Sequence, residues 1–127
     1  MPRRLLTALC AALVLPAGAQ AFVAENGLVV EPRADGSILV PYRGKSGLGD
    51  FWCAAADYVI RGENRPSATR IYRVSPPPRR SGEGIVFSLS PEGAANSGLR
   101  GLLSADAGIS AAFGRLLCSD AVPERRR

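Results

Sequence analysis

The sequence predicts a small α+β protein, built as a single domain with two β-hairpins, one capped helix over about residues 50–61 and a disulfide-stapled C-terminal segment. Three observations carry this prediction. A run with helical spacing begins near Asp50, two pairs of strand-like runs are each joined by a turn-rich segment, and two cysteines remain once an export signal is removed. We expect the domain to cover residues 22–123.

Residues 1–21 have the pattern of a secretory signal peptide. Arg3 and Arg4 precede an apolar run over residues 5–15, and Ala19-Gln20-Ala21 is a cleavage site of the small-x-small type. The apolar run is too short to cross a bilayer, which needs about 20 residues. We therefore predict cleavage before Phe22 and a periplasmic or secreted protein that does not span the membrane. A twin-arginine signal is the alternative interpretation of the paired arginines.

The stretch from Asp50 to Gly62 predicts the helix on which the other elements pack. Asp50 is a good N-cap because its carboxylate can accept hydrogen bonds from the free amides of the first turn. Alanines 54–56 are strong helix formers, and Gly62 suits the left-handed residue that ends a helix. The large side chains predicted to share or flank one face are Phe51, Trp52, Tyr58, Val59 and Ile60. We expect Trp52 to lie in the core beside the disulfide.

Four runs predict the strands of two hairpins. Residues 28–32 and 37–42 flank a turn at 33–36, where Asp-Gly tolerates positive φ, and Pro41 indicates that the second strand lies at an edge or ends there. Residues 69–74 and 85–89 form the second pair, joined by a stiff proline-rich connection over 75–84. Before them, residues 22–26 are expected to be a frayed lead-in.

The C-terminal part is less regular. Residues 91–108 are rich in Gly, Ala and Ser, and their leucines (Leu99, Leu102 and Leu103) favour a compact loop against the core. Residues 110–118 predict either a helix capped by Ser110 or a strand ending at Cys118. The basic tail 124–127 is expected to be disordered.

Cysteine use agrees with export. Removal of Cys10 with the signal leaves Cys53 and Cys118, an even pair in an oxidising compartment. A bond between them closes a long loop and is worth roughly 4 kcal/mol in the chain-entropy model. The alternative is a pair of reactive thiols, although the chain contains no histidine that could activate a thiolate.

The absence of histidine restricts the chemistry available to the chain. It excludes Ser-His-Asp and Cys-His nucleophile systems and histidine-based metal sites, and we predict no catalytic residue, no metal and no cofactor. What remains is carboxylate chemistry by Asp50, Asp57 and Glu63, as in a small hydrolase acting on envelope glycans. The simpler interpretation is that Asp50 caps the helix and Asp57 faces solvent.

Charge points to an anionic partner rather than to nucleic acid. The net charge of +5 becomes +3 without Arg3 and Arg4, and the tail supplies +2 of that, so the folded body is nearly neutral. No nucleic-acid-binding module is recognisable. The arginine-rich stretch of residues 61–80 is the candidate binding surface, with the predicted site residues Arg65, Arg73, Arg79 and Arg80. A solvated strand face and turn is the alternative.

The function predicted from these features is that of a non-enzymatic periplasmic or secreted binding or accessory module. Its partner would be an acidic protein or an anionic envelope component. The glycan hydrolase and a purely structural role remain the alternatives.

Overall fold

The computed structural model describes residues 20–44, 47–99 and 107–118. Predictions that concern residues 1–19, Leu102, Leu103 and the basic tail lie outside these ranges. Within them the chain forms one small α+β domain with an antiparallel sheet and two helices, which confirms the predicted fold class. No helix of the described residues is long and apolar enough to cross a membrane.

The sheet of the described residues has six antiparallel strands in the order β1-β2-β3-β5-β4-β6. The strands are β1 (Phe22–Val23), β2 (Val29–Pro32), β3 (Ile38–Val40), β4 (Arg70–Arg73), β5 (Ile85–Ser88) and β6 (Ile109–Ser110). Both predicted hairpins are present, as β2–β3 and β4–β5. They join side by side through β3 and β5, where Leu39 lies opposite Val86. The sheet is therefore built from the two hairpins, with one short strand added at each edge.

Alternation along the strands sets which face is buried. Leu28, Val30, Ile38 and Val40 of the first hairpin are at most 1% exposed, as their spacing predicts. In the second hairpin the inward residues are Ile71, Arg73, Ile85 and Phe87. The β2–β3 turn forms where predicted, because the Asp35 carboxylate accepts hydrogen bonds from the backbone amide and hydroxyl of Ser37.

One strand prediction needs correction, and another holds in the second of its two forms. Residues 22–26 are not a frayed lead-in, because Phe22 and Val23 pair with Val30 and Val29 and Ala24 is buried. The Phe22 ring also contacts Tyr58 edge-on at 5.5 Å. Strand β3 ends at Val40, just before Pro41, which confirms the second of the two predicted alternatives. It lies inside the sheet, between β2 and β5, rather than at an edge.

The first helix, α1, spans Leu48–Asp57 and continues as a π-helical turn over Tyr58–Gly62. It begins two residues before Asp50, with Gly47 at the N-cap and no side-chain hydrogen bond there, so the predicted cap is wrong. Gly62 lies inside the π-helical turn, and the left-handed residue is Asn64 (φ 54°). A Cβ at Gly62 would lie 2.6 Å from Cδ2 of Tyr58, so the glycine is needed for space rather than for its φ.

Helix α1 lies at the centre of the molecule. Every residue from Phe51 to Val59 is buried, because the sheet covers one side of the helix and the second helix, α2 (Ala111–Leu116), covers another. Trp52 is fully buried, and its ring meets Phe87 of β5 edge-on at 4.7 Å. The predicted place of Trp52 in the core is confirmed.

For the C-terminal segment the sequence predicts either a helix or a strand, and the structure has the helix. Ser110 ends β6, and its hydroxyl accepts a hydrogen bond from the backbone amide of Phe113 at 3.2 Å, which caps α2. The chain then reaches Cys118, which is bonded to Cys53 with a Cα–Cα distance of 4.9 Å. The predicted staple is confirmed, and a disulfide is compatible with an extracellular protein.

Two glycines near the contact between α1 and α2 give a paired prediction. A Cβ at Gly114 would lie 2.6 Å from the Cβ of Ala56, whereas one at Gly49 would only touch Leu117 at 3.9 Å. We expect Gly114→Ala to destabilise the protein by about 1–3 kcal/mol through overpacking. Gly49→Ala should stabilise it by about 0.5–1 kcal/mol, since alanine favours the helix. Urea denaturation of both variants measures this, and equal effects would contradict the close packing of the two helices.

Candidate functional site

The structure separates the four arginines of the predicted binding surface. Arg65 follows the π-helical turn and pairs with Glu63, whereas Arg79 lies over the ring of Phe51 in the first turn of α1. Since α1 rises about 1.5 Å per residue, these two arginines lie at opposite ends of the helix. Arg80 is exposed, and Arg73 is only 3% exposed. Only Arg73 and Arg79 come together.

Arg73 is buried because it shares the inward face of β4 with Ile71. It lies opposite the core residue Phe87 in the pairing of β4 with β5. Its Nε donates to the carbonyl of Ser75 at 2.7 Å, and its Nη1 donates to the carbonyl of Ser97 at 3.3 Å. Among the described residues no carboxylate makes a hydrogen bond or an ion pair with this guanidinium. Arg73 is therefore a buried cation held by backbone carbonyls.

The segment of residues 95–99 fixes Arg73 from the other side. The amide of Ala95 donates to the Arg73 carbonyl at 2.7 Å. Gly98 has a φ of 79°, and a Cβ there would lie 2.5 Å from Nη1 of Arg73 and 3.1 Å from Cδ2 of Leu48. Only glycine combines this backbone conformation with so close an approach. The guanidinium of Arg73 is thus clamped in one position.

Arg79 is also held by its neighbours. Its guanidinium lies 5.1 Å from the ring centre of Phe51 and 5.5 Å from that of Tyr42, which are cation–π distances. Its Nη1 donates to the carbonyls of Arg80 (3.0 Å) and Glu83 (2.9 Å). The charge of Arg79 consequently has a defined place beside Arg73.

Both arginines line one cleft of about 340 Å³, together with Leu48, Pro77, Pro78 and Gly98. We call it the Arg73 cleft. The Nη2 of Arg73 donates no hydrogen bond to any described residue, so this end of the guanidinium is available to a ligand in the cleft. A second cleft of about 390 Å³ shares Pro77 and Pro78, whose peptide bond is cis, and is lined by Arg80 and Glu83. Arg80 therefore belongs to a neighbouring cleft that Glu83 also lines, and its backbone amide donates to the Glu83 carboxylate at 3.3 Å.

The electrostatics of the Arg73 cleft favour an anion. Burial, and then repulsion from Arg79, lower the pKa of Arg73 from its ordinary value. Arginine stays protonated in proteins, so the cleft retains two positive charges. Leu48 is the first residue of α1, and the positive end of the helix dipole adds to this potential, offset in part by Asp50 in the same turn.

Asp57, one of the carboxylates considered for hydrolysis, serves a structural role. Asp57 is not solvent-facing as predicted, because it is fully buried. It accepts a bidentate hydrogen bond from Arg61 and another from the backbone amide of Glu25 at 2.9 Å. Burial opposes its ionisation, but the bonds from Arg61 and Glu25 and the charges of Arg61 and Arg115 outweigh burial and lower the pKa of Asp57. Asp57 therefore lacks the raised pKa of an acid catalyst.

The donor atoms of one group of potential metal ligands are already used in a disulfide and an ion pair. The donor atoms of Glu25, Cys53 and Cys118 lie within 4.8 Å of one another. Both sulfur atoms are joined in the disulfide, so neither is a thiolate ligand. The Glu25 carboxylate pairs with Arg115 at 2.7 Å.

The sequence did not predict that Leu48 and Gly98 line the Arg73 cleft together with the two arginines. Leu48 and Gly98 lie far from the arginines in sequence, and nothing in their immediate surroundings indicates what they would contact. The polar residues Asn96-Ser97-Gly98 predict a loop. They do not predict that the Ser97 carbonyl accepts a hydrogen bond from Arg73.

Comparison of the chain with protein-family models, with curated proteins and with solved structures gives no match. The geometry and charge of the Arg73 cleft are therefore the features that indicate a function.

Proposed function

We propose that this protein is a non-enzymatic, exported binding module that holds an anionic group of its partner in the Arg73 cleft. One observation carries the proposal. Arg73 is a buried cation without a carboxylate partner among the described residues, and it faces a cleft that a second arginine also lines. The partner is an acidic protein or an anionic envelope component.

Arg73 is a buried charge with a second positive charge, that of the half-buried Arg79, beside it. A buried cation is costly unless it is paired, and the backbone carbonyls of Ser75 and Ser97 compensate only part of that cost for Arg73. A bound anion contributes charge-assisted hydrogen bonds to a guanidinium that is already in position. Because the clamp has fixed Arg73 beforehand, little conformational entropy is lost on binding.

Two features support action outside the cytoplasm. Residues 1–21 have the pattern of a signal peptide, and the Cys53–Cys118 disulfide is typical of an oxidising compartment. The hydrolase alternative has no comparable support, because neither of the two clefts described above is lined by a pair of carboxylates.

Replacement of Arg79 tests the proposal without touching the clamp around Arg73. The tagged mature protein and its Arg79→Gln variant are used for affinity capture from an envelope extract at low and at high salt. Loss of one charge-assisted contact should weaken retention of the partner roughly tenfold or more. Retention by the parent should also fall as salt rises.

Arg65→Gln is the matched control, because it removes the same charge at the other end of α1. It should retain the partner as well as the parent does, provided that the thermal stability of both variants is unchanged or corrected for. A partner retained equally by Arg79→Gln and by the parent would overturn the proposal. A partner lost equally from both variants would assign binding to net charge rather than to the cleft, which also contradicts it.

A further inference from the structure

We infer that the anionic group held in the Arg73 cleft is a doubly charged phosphate group. This inference rests on the proposed function and names its ligand. Three sources of positive potential meet at the cleft: the guanidinium groups of Arg73 and Arg79, and the N-terminal end of α1. Among the anionic partners proposed above, it selects an envelope component that carries phosphate.

Arg73 supplies a cation that the folded chain leaves without a counter-charge. It is only 3% exposed, and its hydrogen bonds go to the carbonyl oxygens of Ser75 and Ser97. Among the described residues no carboxylate pairs with it. Because Arg73 lines the cleft, an anion placed there meets a charge that is already removed from water and held in position.

The start of α1 is the second source of positive potential. Leu48, the first residue of this 10-residue helix, lines the cleft, and a Cβ at Gly98 would meet both its Cδ2 (3.1 Å) and Nη1 of Arg73 (2.5 Å). The first amides of a helix have no intrahelical carbonyl to bond, and the N-cap residue Gly47 has no side chain that could accept from them. The positive end of the helix dipole therefore lies next to a buried guanidinium, an arrangement that favours phosphate.

Arg79 adds a second full positive charge. Burial and then this charge lower the pKa of Arg73, which indicates that the two guanidinium groups lie close enough to repel each other. A doubly charged anion is attracted to each cation twice as strongly as a singly charged anion in the same place. Carboxylates, sulfonates and phosphodiesters carry one negative charge, whereas a phosphate monoester carries nearly two at neutral pH. The charge of the cleft therefore favours phosphate.

A carboxylate in the first turn of α1 provides a variant that should strengthen binding. Asp50 lies in that turn, and a Cβ at Gly47 would be 2.9 Å from its Oδ2, so the carboxylate lies beside the end of the helix. Its negative charge opposes an anion in the cleft. Asp50→Asn should therefore bind a phosphate group about threefold more tightly, a gain that partial unfolding of the variant would not produce.

Trp52 provides a built-in reporter for the cleft. Its indole Nε1 donates at 3.3 Å to the carbonyl of Ser97, the same oxygen that accepts from Nη1 of Arg73. It is the only tryptophan of the chain. Its indole N–H gives a single resonance in a ¹⁵N–¹H spectrum, and a ligand that draws on the Arg73 guanidinium should shift this resonance.

The experiment titrates the oxidised mature protein with four probes, at about pH 7.5 and constant ionic strength, while the Trp52 indole resonance is followed. The probes are methyl phosphate, methanesulfonate, inorganic phosphate and an N-acetylated triglutamate amide. Methyl phosphate and methanesulfonate both end in a tetrahedral group with three free oxygens, but they differ by one charge. Methyl phosphate should therefore bind roughly tenfold more tightly. Its affinity relative to inorganic phosphate assigns the group to an organic phosphate or to the free ion, and either result supports the inference.

The Arg79→Gln variant should lose most of the preference for methyl phosphate over methanesulfonate, whereas Arg65→Gln, at the other end of α1, should keep it. The inference is overturned if methanesulfonate binds as tightly as methyl phosphate, if the glutamate peptide binds more tightly than either phosphate, or if neither phosphate binds. An unchanged affinity of Asp50→Asn for methyl phosphate also contradicts it.

These results would still agree with an anion-binding module whose partner carries singly charged groups, so the two proposals fail separately. Failure of the proposed function shows instead in the capture experiment, as a partner that Arg79→Gln retains.

Discussion

Loss of the Cys53–Cys118 disulfide is expected to destabilise the folded protein by about 4 kcal/mol. The bond joins residues 65 positions apart, and in the chain-entropy model a loop of this length restricts the unfolded chain by that amount. For a domain of this size such a loss lowers the melting temperature by roughly 15 °C or more. Because whole domains are stable by only about 5–15 kcal/mol, the reduced protein should be close to unfolding at 37 °C.

The cross-link also holds helix α2 against α1. Cys118 follows α2 directly, and Arg115 of that helix pairs with Glu25 near the start of the domain. Reduction should therefore loosen α2 first, with faster amide hydrogen exchange there than in β3 or β5.

Calorimetry of the mature protein before and after reduction measures this effect, and the Cys53→Ala/Cys118→Ala variant separates the cross-link from its packing. The double variant should melt near the reduced parent and should not respond to the reductant. If reduction leaves the melting temperature of the parent within a few degrees of its oxidised value, the staple has no important role in stability.

The hairpins could be predicted from sequence because their signals are local. Ile85 and Phe87 alternate with Val86 and Ser88, and the structure buries the first pair and leaves the second only partly covered. The turn at Asp35-Gly36 has the residue types that its backbone requires. Nearest-neighbour patterns of this kind are sufficient to place strands and turns, and the cysteine count supplied one long-range contact.

The surroundings of α1 could not be predicted in the same way. Helical spacing identifies one buried face, but α1 is covered by the sheet and by α2 together. Residues 110–118 are compatible with a helix or a strand. The sequence therefore does not predict that a second helix, α2, packs on α1. The sequence pattern consequently predicts a solvent-facing Asp57, although this residue is fully buried.

The burial of Arg73 is not predicted for a related reason. Its residue type is usually exposed, which led to its place on a binding surface. Strand alternation alone puts it on the same face as Ile71, and pairing with Phe87 makes that face the core. Its burial follows from the strand pattern, but the clamp by Ser97 and Gly98 depends on a distant loop.

Asp57→Asn is expected to destabilise the protein by about 2–4 kcal/mol at neutral pH. The carboxylate is fully buried and bonded to Arg61 and to the amide of Glu25, and hydrogen bonds to charged groups contribute about 1.5–3 kcal/mol each. An asparagine at position 57 can still accept the hydrogen bond from the Glu25 backbone amide. The substitution removes the negative charge that pairs with Arg61. Arg61 is itself half exposed and can return to water, which limits the loss to less than that of a fully buried pair.

The pH dependence of this effect has a defined sign. The pKa of Asp57 is lowered in the folded protein from its ordinary value of 3.8, so the unfolded chain binds the proton more readily. The stabilisation by Asp57 is therefore fully present above about pH 4 and is lost as the pH falls through the lower, folded value. The difference in unfolding free energy between parent and Asp57→Asn should be constant near neutral pH and should shrink on acidification below pH 4.

Urea denaturation between pH 7 and pH 2.5 measures both the size and the pH dependence of the difference. Glu25→Gln is the matched control, because it makes the same change in a carboxylate that pairs with Arg115 at the surface, with its side chain 40% exposed. Such an exposed pair contributes about 0–1 kcal/mol, so the control should stay close to the parent throughout. If Asp57→Asn is no less stable than Glu25→Gln at pH 7, the buried ion pair does not hold the start of the domain to α1.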